Sequence, residues 1–345
     1  MREQKNSHLG MIGWAMFLTS ALSLGSCSSD DTIDAIQGEA ITFGNVFVEK
    51  STRATDPSYG EGKAIDKFQV WGKVTGNTGN TGNTVNLYGG DGATVTKGTA
   101  AYGAAWACNE TEYWIPSATY QFMAIANATS VTLTDGLPSV ISYTADAADT
   151  YTTNGSKDLL LSELDTTDGT IDKNGIKTVT TSPVAVPSEN PVAFTMSHLL
   201  SKAMFTFTNT DANAELTVSD IKMAGLNKEG TYDIATATWT SKTPYGETPL
   251  AFGGNVTVGT GEDTKTATSE HERLIIPGTY TITITFTVTD NKGGQPQNLT
   301  AEITQEFLPG HSYNFTADIK SGLTYIIFTI IPSDWGTESD RPIEG

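Results

Sequence analysis

Apolar residues recur at every second position through most of the chain. Phe68-Gln69-Val70-Trp71, Phe205-Thr206-Phe207 and Tyr280 to Val288 alternate in this way and are rich in Thr, Val, Ile and aromatics, the pattern of strands with one face on a core. Helical spacing is scarce. Ser156 to Leu164 and His198 to Met204 are the two stretches that predict a turn or two of helix. The class is therefore mainly β.

Polar punctuation divides the strands. The triplets of Asn77-Thr78-Gly79-Asn80-Thr81-Gly82-Asn83-Thr84 hold no apolar member and predict an exposed loop. Pro183, Pro187 and Pro191 bracket Ser188-Glu189-Asn190, where missing N–H donors interrupt sheet pairing. An internal echo spans that break. Trp114-Ile115-Pro116, Tyr120, Phe122 and Ala124 have the spacing of Phe307-Leu308-Pro309, Tyr313, Phe315 and Ala317, and residues 65–72 more weakly resemble 218–225. Two related β-sandwich domains in tandem, 41–188 and 189–345, account for it.

The first residues read differently. A short leader with Arg2 and Lys5 precedes an apolar run from Met11, which closes on Leu24-Gly25-Ser26-Cys27. Positive end, apolar middle, small residues and then a cysteine make a lipoprotein export signal over 1–26, with lipid expected on Cys27. Thr19, Ser20 and Ser23 break the run below the ~20 apolar residues of a membrane span. Residues 27–40, with Ser28, Ser29, Asp30, Asp31 and Asp34, read as a solvated tether.

Composition narrows the function. Acidic residues number 39 and basic ones 20, a net charge of −19, which repels phosphate backbones and excludes nucleic acid as a partner. With Cys27 lipidated, Cys108 has no intramolecular partner, so packing alone must hold the fold. Catalysis finds no frame: His198, His271 and His311 sit in no nucleophile–base pattern, and His271-Glu272-Arg273 lacks the second histidine of a zinc helix. His198, between apolar neighbours, reads as a core histidine. Asp165, Asp168-Gly169 and Asp172 depart from calcium-loop spacing. No cofactor, no metal and no enzyme activity are expected. Beyond the leader the arginines are Arg53, Arg273 and Arg341, and Arg53 lies in the turn-prone Lys50 to Pro57, either a protease target or a plain loop cation.

Taken in order, these pieces resemble one family, the fimbrillins, the Mfa-like subunits of type V pili of Gram-negative anaerobes. The resemblance rests on the lipobox and Ser28-Ser29-Asp30-Asp31, on Ile41-Thr42-Phe43 followed by Thr52-Arg53-Ala54, and on Phe194 and His198-Leu199-Leu200-Ser201-Lys202-Ala203. It continues through Leu274-Ile275-Ile276-Pro277, Phe307 to Tyr313, and Ile327 to Trp335. It implies two transthyretin-like, Greek-key sandwiches on the outer membrane surface. It also implies cleavage between Arg53 and Ala54 by an arginine-specific protease, departure of the first strand (Ile41, Phe43, Val46, Phe47, Val48), and its replacement by a strand from another pilus subunit.

The candidate donor is Tyr325 to Ile331, carrying Tyr325, Ile327, Phe328, Ile330 and Ile331. An ordinary central strand buried on both faces is the competing reading. The tail after Trp335 is short and polar, which leaves shaft, anchor and tip roles open, along with any host or bacterial surface ligand. The rival function is a monomeric glycan-binding lipoprotein, resting on Trp71, Trp106, Tyr113 and Trp114; Trp71 and Trp114 fall at inward strand positions.

Overall fold

The computed structural model describes residues 39–44, 47–48, 65, 67–76, 84–97, 106–145, 158–163, 174–183, 187–188, 190–246 and 248–335. Cys27, Val46, Arg53, Ala54, the triplets at 77–83 and Asp165 to Asp172 lie outside them. Among the described residues the fold is all β, with no helix.

The first half contributes β1 (Phe47–Val48), β2 (Lys67–Gly76), β3 (Thr84–Asn86), β4 (Ala93–Lys97), β5 (Trp106–Cys108), β6 (Ala118–Ala126), β7 (Ser130–Thr134), β8 (Leu137–Thr144), β9 (Leu160–Ser162) and β10 (Lys177–Thr180). After Pro191 come β11 (Thr195–His198), β12 (Ser201–Asn209), β13 (Leu216–Ala224), β14 (Asn227–Asp233), β15 (Thr238–Pro244), β16 (Leu250–Ala251), β17 (Val256–Val258) and β18 (Thr266–Thr268). The chain closes with β19 (Arg273–Ile275), β20 (Gly278–Asp290), β21 (Gln297–Phe307), β22 (His311–Ile319) and β23 (Thr329–Asp334).

These strands form four sheets. The first runs β1-β11-β9-β6-β2-β4-β5, with β10 also on β6 and β3 on β2. The second runs β18-β12-β22-β23, with β19 on β12, and the third runs β16-β13-β20-β21, with β17 on β13. Alternation along β20 sends Ile282, Ile284, Phe286 and Val288 inward against Phe205, Phe207 and Phe315 of the second sheet, while the intervening threonines face outward. The second and third sheets thus enclose one sandwich core. The fourth sheet, β15-β14-β8-β7, takes two strands from each half of the chain. Its β7–β8 hairpin turns on Asp135-Gly136, both at positive φ (51° and 77°), as a two-residue turn demands.

Strand pairing crosses the expected boundary at 188/189. β11 follows Pro191 yet lies against β9 and β1 in the first sheet, and β14 pairs with β8 across the supposed boundary. A third buried cluster fills the space between the first and fourth sheets. It joins Trp71, Met123, Ile125 and Ile141 to Leu199, Leu200, Tyr232, Leu274, Ile276 and Trp335. Each half keeps a cluster of its own, 41–196 in one and 203–319 in the other, and this third cluster joins them.

The helical expectations are corrected. Within 156–164 the described residues form β9, and 198–204 spans the end of β11 and the start of β12. Leu159, Leu160, Leu161, Leu199 and Leu200 are all buried. A strand covered on both faces loses its two-residue alternation, and short apolar runs then imitate a helix.

The echo is a physical device made twice. Ile115 N donates to Tyr120 Oη at 2.6 Å, and Leu308 N donates to Tyr313 Oη at 2.8 Å. The preceding aromatics meet these tyrosines edge-on, Trp114 on Tyr120 at 4.7 Å and Phe307 on Tyr313 at 4.8 Å. Each turn needs a residue at positive φ, supplied by Ser117 (54°) and Gly310 (70°). Burial pushes the Tyr120 hydroxyl up to about 12 and moves Tyr313 the same way. Sheet context is not repeated, because β6 has antiparallel neighbours whereas β22 lies parallel to β12.

Candidate functional site

Residues 39–44 are threaded between two other stretches of chain. On one side Ile41 N donates to Glu112 O (2.8 Å) and Trp114 N to Glu39 O (3.1 Å). On the other, Val192 N donates to Thr42 O (2.8 Å) and Gly44 N to Val192 O (3.0 Å). The segment makes one antiparallel bridge, Ala40 with Tyr113, and one parallel bridge, Phe43 with Val192. Further along the chain, β1 runs parallel to β11 with Phe47 opposite Thr195.

Alternation decides what this segment buries. Ile41 and Phe43 point into the core at 3% exposure each, and Thr42 between them faces out. Phe43 sits in an aromatic box: edge-on to Phe122 at 5.6 Å, stacked on Phe194 at 6.0 Å and tilted to Tyr88 at 6.2 Å. Burying two such side chains stabilises by about 3–6 kcal/mol, and four backbone bonds add roughly 2–6 kcal/mol net. The sum is comparable with the ~5–15 kcal/mol that separates a folded domain from its unfolded chain. Partial burial, and then the neighbouring Glu110, raise the Glu112 carboxyl beside the slot.

Asn190 holds the segment from outside the sheet. Its Oδ1 accepts from Thr42 N (3.0 Å) and Thr42 Oγ1 (2.7 Å), while its Nδ2 donates to Ala40 O (3.2 Å) and Glu39 Oε1 (3.3 Å). Sequence reasoning missed this residue. An asparagine between prolines looks like turn chemistry, and only the placement of residue 42 opposite it reveals the role.

The other candidate segment lies at a sheet edge. Among the described residues β23 pairs with β22 on one side only, from His311 opposite Asp334 to Thr316 opposite Thr329, and residues 325–328 lie outside any strand. The reading of 325–331 as a central strand buried on both faces is therefore corrected. Phe328 packs against Phe205 (5.7 Å), Phe286 (5.9 Å) and Phe315 (6.3 Å). On the outer face Tyr325 is 69% exposed, Ile327 74% and Ile331 48%. A groove of about 500 Å³ runs beside this segment, lined by Thr208, Thr316, Asp318, Tyr325 and Ile327 among others.

The far end of β23 is pinned. Trp335 is fully buried, stacks on His198 at 4.1 Å and 6°, and donates its backbone N–H to Gly310 O at 2.9 Å. His198 Nδ1 lies 2.5 Å from Asp158 Oδ2, and Lys202 Nζ sits 5.4 Å over the indole and 3.5 Å from Glu272. This clasp gathers positions from 158, 198–202, 272 and 335. It makes His198 the satisfied core histidine its apolar neighbours suggested, and it was otherwise illegible because its members are distant in sequence.

Little else in the described residues carries chemistry. No group of His, Cys, Asp and Glu there has the geometry to hold a metal ion, and no helix there is long and apolar enough to cross a membrane. Arg273 is buried, with Nε donating to Ala251 O at 2.5 Å. Cys108 is a free thiol, half-buried, and burial raises it away from the reactive range. Of the four aromatics considered for sugar stacking, Trp71 and Trp114 are buried, Trp106 packs on Phe68 at 5.3 Å, and Tyr113 alone is exposed.

These observations describe an all-β protein of four sheets, with residues 39–44 held between two stretches of chain and β23 at a sheet edge. The chain belongs to the fimbrillin-like family, whose model matches residues 52–335. Among solved structures it is similar to a fimbrial protein from Bacteroides vulgatus, at 15% identity and a TM-score of 0.55, covering 86% of this chain and 99% of that one. It is also similar to a protein assigned to cell adhesion from Bacteroides ovatus, at 18% identity and a TM-score of 0.51, covering 87% and 98%. Among curated proteins, none matches the chain. The family and these neighbours are fimbrial and adhesion proteins rather than enzymes.

Proposed function

We propose that this chain is a structural or adhesive subunit of a cell-surface pilus, assembled by exchange of its first strand. It is exported as a lipoprotein carried on Cys27 in the outer membrane, and an arginine-specific protease cuts between Arg53 and Ala54. The segment bearing Ile41 and Phe43 then leaves, and a strand from another subunit fills the slot. The donor is the apolar edge segment Tyr325 to Ile331.

One observation carries the reading. Residues 39–44 are bonded along both edges, to Glu112–Trp114 on one side and Thr42–Gly44's partner Val192 on the other, and they fill the core between them. Their loss leaves unpaired backbone on both walls and an empty aromatic box, a deficit that a second extended strand can make good. Supporting the donor role are Ile331, exposed on the edge strand β23, and Tyr325 and Ile327, exposed on the segment that leads into it, a row of apolar side chains that a monomer gains nothing by displaying.

The test is limited digestion of the folded chain with an arginine-specific protease, followed by gels run without boiling. A ladder of oligomers that collapses on boiling is the expected result. A cut chain that stays strictly monomeric would sink the proposal.

A further inference from the structure

We infer that Asn190 is a register latch, and that it selects for the slot a strand carrying threonine between two inward apolar residues. This rests on the strand-exchange reading above for the incoming strand, but not for the chain's own segment.

The side-chain amide of Asn190 reproduces what a neighbouring strand would offer. It accepts from Thr42 N and donates to Ala40 O, at 3.0 and 3.2 Å, so it continues the bonding that Val192 begins along the same edge. These two contacts read backbone alone and accept any extended chain. The third does not: Oδ1 also takes the Thr42 hydroxyl at 2.7 Å. The orientation of the amide is settled by its backbone partners, since flipping it would set its NH2 against the Thr42 N–H and its oxygen against the Ala40 carbonyl.

Sliding a strand by one residue would turn Ile41 and Phe43 outward and bring an apolar residue to Asn190. Burial and the hydroxyl contact therefore specify the same register. The pattern required is apolar, threonine, apolar with exposure in, out, in. Phe328-Thr329-Ile330 has that order and that exposure: Phe328 and Ile330 are half-buried and Thr329 is exposed. The order recurs in β12, β17 and β20, whose strands are paired within sheets, and Val131-Thr132-Leu133 of the edge strand β7 has it with the same exposure. The Phe328–Ile330 run is set apart by the exposed apolar Tyr325, Ile327 and Ile331 beside it. The occupant fitted to the emptied slot is the Phe328–Ile330 segment of a second copy of this chain.

Two measurements on full-length protein test this. In the uncut chain, amide exchange at Thr42 should rise about fivefold in Asn190→Ala, with Ile41, bonded to Glu112, as the internal reference. Thr42→Val should weaken the protection less, and the double variant should match Asn190→Ala alone, because both changes remove contacts to one amide. Unchanged Thr42 exchange in Asn190→Ala, or strictly additive effects, would overturn the latch. In protease-treated chain, Thr329→Val should slow ladder growth about fivefold without altering the donor's own stability, since Thr329 is exposed and its bond to Thr316 uses the backbone carbonyl. Equal ladder rates would overturn the selection. Failure of the unaltered chain to form ladders at all would overturn strand exchange, while the exchange data on uncut protein would still decide the latch.

Discussion

Residues 39–44 and residues 325–334 are both short segments of alternating apolar character, yet they are held in opposite ways. The first is bonded along both edges and buries its apolar side chains in an aromatic box. The second, among the described residues, is bonded along one edge to β22, packs Phe328 inward, shows Tyr325, Ile327 and Ile331 to solvent, and is pinned at its far end by Trp335. Two-edged bonding makes a segment necessary to the fold around it; one-edged bonding leaves a segment available to another partner. Under the proposed strand exchange, the first is the segment whose departure calls for a replacement and the second is the segment offered as one.

The sharpest way to break the comparison is to remove its anchors. Phe43→Ala and Trp335→Ala should each destabilise by about 3–5 kcal/mol, read as shifts in denaturant midpoint. Amide exchange should distinguish them: Phe43→Ala exposes residues 39–44, and Trp335→Ala exposes β23. Coincident exposure of both segments in either variant would mean that they are not independent.

A smaller effect is expected from pH. Tyr120 stands at about 12 in the folded chain against 10 in the unfolded one, so its contribution is fully present below pH 10 and is lost as pH rises from 10 towards 12. The loss amounts to about 2 kcal/mol by pH 12, and Tyr313 moves in the same direction. Spectrophotometric titration of phenolate against unfolding midpoint checks it. A stability that holds steady through this range would contradict the buried, hydrogen-bonded corner.

The smallest effect belongs to the exposed face. Ile327→Ser should change stability by no more than about 0.5 kcal/mol, because its side chain is 74% exposed. A large loss would show that the outer face of the edge segment serves this chain's own fold.

Much of this was legible in the sequence where a local pattern carries a local cause. The paired Tyr-x-Phe-x-Ala runs mark two corners because a proline-marked turn, a positive φ and a tyrosine five residues later are all encoded within a dozen positions. Ile41-Thr42-Phe43 announces its in, out, in exposure by alternation alone. What escaped were pairings between distant stretches. Nothing near Ile141 says that it lies opposite Tyr232, so the shared fourth sheet and the third core read as a boundary. Leu159 to Leu161, entering β9, and Leu199 to Leu200, joining β11 to β12, misled in the other direction, since consecutive buried leucines carry no two-residue period. Asn190 and Trp335 gain their meaning only from Thr42 and His198, which stand 148 and 137 positions away.

The most direct test of a removable first strand is native mass spectrometry of the chain after cleavage following Arg53. Assembled species that lack the amino-terminal fragment, with that fragment recovered free in solution, are the expected result. Assemblies that retain one amino-terminal fragment per subunit would contradict strand exchange, whatever else holds the copies together.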